Sequence, residues 1–88
     1  MQEIKYVKQP VAVAVVFAEN GKMRPLKFRW KDGQYYNIDN ILGIERTASS
    51  KVGGCGIRYT VMVEGLPRFL YNEGGKWFME DEIIVETP

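Results

Sequence analysis

Two glycine turns constrain this chain more than any other feature. Asn20-Gly21 and Asp32-Gly33 bracket residues 24–30, and each turn sets a strand register independently of the other. Leu26, Phe28 and Trp30 alternate with Lys27, Arg29 and Lys31. Alternation of period two puts the apolar side chains on one sheet face and the charges on the other. Glycine accepts the positive φ that a tight turn needs. A two-residue loop at Asp32-Gly33 would set Phe28 beside Asn37 and Lys27 beside Ile38, mixing the faces. A three-residue loop, Lys31-Asp32-Gly33 with Gly33 left-handed, pairs Phe28 with Tyr36 and Leu26 with Ile38. The pattern therefore predicts a type I turn with a bulge at Gly33.

Upstream, residues 11–17 read VAVAVVF, a run dense in β-branched residues. Asn-Gly after such a run is a strong hairpin signal. A two-residue loop at Asn20-Gly21 pairs Val15 with Leu26, Val13 with Phe28 and Val11 with Trp30. That register comes from a different turn yet selects the same core face, and such agreement between levels is what specifies a fold. The opposite face pairs Ala14 with Lys27 and Ala12 with Arg29, a low and positively charged surface. The competing reading is that the Lys and Arg stems simply cover the alanines. The apolar run at residues 11–18 also has the length of a signal-peptide core, but it holds no Leu and leads straight into a hairpin, so a strand is expected. It is far shorter than the ~20 apolar residues that cross a bilayer as a helix.

The rest of the chain reads as more strands. Residues 1–9 form a polar lead-in with a short strand at 4–7, and Pro10 suits a strand start. Tyr36, Ile38, Leu42 and Ile44 share one parity, which predicts a long strand bending near Gly43, with a helical turn over 39–44 as the alternative. Residues 47–56 are a polar, glycine-rich connection. Ile57, Tyr59, Val61 and Val63 alternate with polar neighbours as a good strand. Residues 64–67 turn the chain, 68–71 and 76–80 are short strands, and 83–85 form a last strand closing the sheet edge. Phe69 is left opposite Trp77, Phe78 or Met79 according to loop length. Six to seven short antiparallel strands with tight turns predict an all-β fold, a small partly open or closed barrel, SH3-like or similar, in a single domain over residues 1–88.

Arg24-Pro25, Phe28, Trp30, Asp32-Gly33, Tyr36, Ile38-Asp39 and Leu42, followed by Lys51, Gly53-Gly54, Gly56, Arg58-Tyr59 and Trp77-Phe78, form a pattern that resembles a group of short uncharacterised bacterial proteins, mainly of Gram-positive lineages. The central part is similar to a domain family of unknown function with a tryptophan, a Gly-containing turn and a Tyr-x-Val core. The resemblance spans roughly residues 11–80. It implies a small soluble β protein and brings no catalytic residues with it.

Composition narrows the chemistry. The chain has no His and one Cys, which excludes His-based acid/base catalysis and an intrachain disulfide, and argues against a zinc site built from this chain alone. A cytoplasmic setting without cofactors follows as the simpler expectation. Net charge is +1, but residues 1–58 carry ten Lys/Arg against five Asp/Glu, while residues 59–88 carry two against six. Such asymmetry points to an interaction surface. Cys55, in Gly53-Gly54-Cys55-Gly56, has no His to activate it and reads as an inert or merely reactive thiol. The same loop, with Lys51 and Arg58 nearby, could cradle an anion on backbone N–H groups or serve only as a connection. Asp32 and Asp39 read as turn and strand-end residues rather than a catalytic pair. Most aromatic residues fall at core positions, Tyr35 being the exception.

These features predict a non-enzymatic binding module. Its candidate ligand-binding residues are Lys27, Arg29, Lys31 and Tyr35 on the basic face, with Lys51 and Arg58 by the glycine-rich loop. Nucleic acid is the expected ligand. The alternative is a protein-interaction or self-associating module, since residues 11–17 are apolar on both faces.

Overall fold

The hairpin around Asp32-Gly33 forms with the register its residues predict. The computed structural model describes residues 1–48 and 55–86. Gly33 donates its N–H to the Trp30 carbonyl and Trp30 donates to the Gln34 carbonyl, each at 2.9 Å, and Gly33 has a φ of +84°. The strands so joined are β3 (Met23–Arg29) and β4 (Tyr35–Asn37). Phe28 lies opposite Tyr36, and the Ile38 N–H donates to the Leu26 carbonyl.

On its other side β3 pairs with β2 (Ala12–Phe17). Near the core the register is as expected, with Ala12 opposite Arg29, Val13 opposite Phe28 and Ala14 opposite Lys27. Beyond Ala14 it departs. The Ala18 N–H donates to the Lys22 carbonyl and the Gly21 N–H to the Ala18 carbonyl, both at 2.8 Å, so the loop holds three residues, not two. Val15 consequently faces Pro25, and a bulge at Leu26 absorbs the extra residue. The expected Val15–Leu26 pair is thus replaced. Pro25 is fully buried, and Leu26 turns outward with 46% of its surface exposed. The cause is Pro25, which has no N–H to give a ladder and is accommodated at bulges. Two one-residue departures cancel, so the register at Phe28 survives.

The remaining strands make a five-stranded antiparallel sheet. They are β1 (Gln2–Pro10), β5 (Asn40–Ala48), β6 (Cys55–Val63), β7 (Leu66–Glu73) and β8 (Lys76–Glu86), in the spatial order β1-β8-β7-β6-β5. Glu64-Gly65, with φ of 50° and 78°, and Gly74-Gly75, with φ of 62° and 88°, are two-residue hairpin loops of the kind that matches strand twist. Residues 66–67 therefore belong to β7 rather than to a turn. The second loop sets Leu70 opposite Met79, so Phe69 faces none of its three candidates. Residues 1–9 are no lead-in, because β1 pairs with β8 continuously from Gln2–Glu86 to Pro10–Phe78. The two strands expected at 76–80 and 83–85 are one.

The long strand expected after Gln34 is broken at Ile38-Asp39. A bulge between Ile41 and Gly43 turns Ile41 toward the core and leaves Leu42 51% and Ile44 58% exposed, reversing the expected parity. The core lies between the two sheets. Phe28 meets Tyr59, Val61, Val63, Leu70 and Met79, with Val11, Val13, Trp30 and Tyr36 packed around them. Trp30 is half-buried. The chain crosses between sheets at Val11, whose N–H donates to the Trp77 carbonyl, and at Asp39, whose N–H donates to the Met62 carbonyl. Among the described residues the strands form two open sheets instead of a closed barrel, since β2 and β4 pair only with β3.

Candidate basic surface

Lys27 and Arg29 leave β3 on its outer face, opposite Ala14 and Ala12. Both are exposed. Tyr35 stands opposite Arg29 on β4 and is 61% exposed. The Lys27 Nζ lies 5.1 Å from the Tyr35 ring centroid, close enough for a cation–π contact. Alternation missed a third cation. Arg24 is three residues from Lys27 and so of opposite parity, but the bulge at Leu26 brings it to the same face, opposite Val16. The signal that could have found it was Pro25, which marks the bulge. Among the described residues no carboxylate pairs with Arg24, Lys27 or Arg29.

The other sequence candidates lie elsewhere. Lys31 turns away from this face to form an ion pair with Asp81 of β8, its ammonium 5.8 Å from the Trp30 ring. Arg58 belongs to the five-stranded sheet. Its guanidinium sits 4.5 Å from the Phe69 ring, and its Nη2 donates to Glu45 Oε2 at 2.6 Å. Lys51 and Gly53-Gly54 lie outside the described residues, and with them the anion-cradling loop. The backbone of Cys55 opens β6. Asp32 holds its turn, accepting from the Gln34 N–H and the Tyr36 hydroxyl, each at 2.9 Å. That hydrogen bond, with burial behind it, pushes the Tyr36 phenol above its ordinary value.

A cleft of about 470 Å³ opens beside the core, lined by Phe28, Trp30 and Tyr36 and by Glu64, Glu80, Asp81 and Glu82, with Arg68 as the one cation of the lining among the described residues. Its residues come from four separate stretches, so no local pattern announces it. Glu80 accepts from the Tyr71 hydroxyl at 2.7 Å. Burial first, and then this bond, pushes the Tyr71 phenol up. Burial alone does the same for Tyr59. The cleft thus gathers negative charge, on a part of the molecule distinct from the basic face of β2-β3-β4.

Among the described residues no group of His, Cys, Asp or Glu side chains could hold a metal ion, and no helix is long and apolar enough to cross a membrane. Comparisons with family models, curated proteins and solved structures give no match.

Proposed function

We propose that this chain is a non-enzymatic binding module, acting in the cytoplasm, that takes nucleic acid on the outer face of the three-stranded sheet. The observation that supports it is that Arg24, Lys27 and Arg29 share one outer face, none paired with a carboxylate among the described residues, with Lys27 and Arg29 beside the exposed ring of Tyr35. Phosphates gain from the counterions such cations release. An exposed ring beside them can stack a base, which is sequence-tolerant because every base has a π-face. A ring standing on a sheet reaches unstacked bases and not those of a duplex, so single strands are the favoured form. Three phosphate contacts give a log–log salt slope of roughly −2 to −3, so affinity is modest and falls with salt.

The test is a titration of labelled single-stranded and duplex oligonucleotides at two salt concentrations. Wild type is compared with Lys27→Glu/Arg29→Glu, with Arg24→Glu and with Tyr35→Ala. Binding that weakens with salt, is lost on charge reversal and favours the single strand is the expected result. No binding at low salt, or binding indifferent to the reversals, removes nucleic acid as the ligand.

A further inference from the structure

We infer that β1 is the joint through which two copies of this chain pair, edge to edge and antiparallel, about a two-fold axis through Ile4. Among the described residues the two open sheets leave four edge strands, β1, β2, β4 and β5, and two of these are blunted. β4 has three residues and β5 carries its own bulge at Leu42; β2, six residues long, is itself regular but pairs with a bulged partner and offers a shorter edge than β1. Short or bulged strands are the ordinary defences of an edge. β1 has neither defence. It is nine residues long, and its register with β8 is unbroken from end to end.

The outer half of β1 is also thinly supported. β7 pairs with β8 only through residues 76–79, so among the described residues β1 is the sole strand paired with β8 from Glu80 onward. Ile4 and Ile84 face each other there, 62% and 67% exposed. Ile83 is 38% exposed on the opposite face. A two-stranded ribbon is marginal in water, and a third strand is the usual remedy.

Charge selects the occupant and the register. Glu3 and Lys5 lie on one face of β1, two residues apart, and neither is in an ion pair within the described chain. A lysine on an edge ordinarily repels a second strand. Here a second β1 centred on Ile4 sets Glu3 against Lys5 twice and Ile4 against Ile4, while each residue stays on its own face. Centring on Glu3 or on Lys5 instead opposes like charges, and centring on Tyr6 sets Ile4 against Lys8. The favoured register makes one continuous sheet of both five-stranded sheets, an isologous two-fold contact.

A single strand pair lies at the low end of interface sizes, so sedimentation velocity is run from about 10 µM to 1 mM. Wild type is expected to shift from monomer to dimer across that range. Lys5→Glu alone and Glu3→Lys alone each oppose like charges twice, and dimerisation should weaken by at least about tenfold. The exchange Glu3→Lys/Lys5→Glu should restore it, and so should an equimolar mixture of the two single variants. Circular dichroism of each variant as monomer checks that the fold is kept. A wild type monomeric throughout, single reversals that leave the dimer intact, or an exchanged variant that stays monomeric would each overturn the inference. Nucleic-acid binding plays no part in it.

Discussion

Gly56 offers the sharpest test of how β6 and β7 meet. A Cβ added there would stand 2.2 Å from the backbone oxygen of Asn72 and 3.1 Å from both its carbonyl carbon and the Glu73 Cγ. The nearest obstacle is main chain, which cannot swing aside as a side-chain tip can. Nor is Asn72 free to retreat, because its Oδ1 accepts the Gly75 N–H at 3.0 Å and Glu73 is tied to Lys8. Ordinary contact begins near 3.4 Å, so Gly56→Ala must part the strands locally by about 1 Å, the kind of backbone shift that overpacking forces. Such overpacking costs about 1–3 kcal/mol, and a weakened ladder bond beside it adds about 1 kcal/mol. The total of roughly 2–4 kcal/mol is a large part of the stability of a domain this size. At about 4–8 °C per kcal/mol the melting temperature should drop by roughly 8–32 °C. Gly43→Ala is the matched control. It lies in the neighbouring strand with nothing within 4 Å of its Cβ position, and should be neutral or stabilising by up to about 1 kcal/mol. The assay is thermal denaturation followed by circular dichroism. A Gly56→Ala protein melting within about 3 °C of wild type, against that expected shift, would refute the close approach of the two strands.

Two further outcomes are expected. Trp30→Ala should cost about 2–3 kcal/mol, less than the 3–5 kcal/mol typical of a large buried aromatic, because the indole is half-buried at the cleft; urea unfolding of the variant measures it. Tyr59 and Tyr71 have phenols raised by folding, so the stability they lend is whole below the unfolded value of about 10 and is lost as pH climbs through the higher folded values. Ultraviolet titration should show their phenolate absorbance appearing late, together with alkaline unfolding, and Tyr59→Phe should remove one late-titrating group.

What could be read from residues alone was what a turn or a short alternation encodes. Gly33 and the pairing of Phe28 with Tyr36 follow from four or five neighbouring residues, and so do the parity of Tyr59, Val61 and Val63 and the outward aim of Lys27, Arg29 and Tyr35. Bulges were not legible, because a bulge trades one residue of parity for a bend and leaves the composition unchanged. That is why alternation places Leu26 and Leu42 inward and Arg24 off the basic face. Lys31 leaves its expected face for another reason. Its partner Asp81 is 50 residues away, and no local pattern says which distant carboxylate will capture a turn lysine. The division into two sheets at Val11 and at Ile38-Asp39 was equally hidden, since a one- or two-residue crossing looks like continuous strand.

The pairing of the first strand with the last carries a consequence for how the molecule is made. Gln2 and Glu86 meet across 84 residues, the widest strand pairing among the described residues, and contacts of that separation are slow to form. The hairpins of β2-β3-β4 and of β6-β7-β8 need only their own neighbours and are expected to assemble first, with β1 zipping onto β8 afterwards. During synthesis at about 5–20 residues per second, β1 therefore waits roughly 4–17 seconds for its partner to be translated. Over that interval Ile4, Tyr6 and Val7 are carried on a nascent strand without a ladder. A nascent β1 left open for that interval is exposed to pairing with other chains, the hazard of any unpaired strand edge during folding.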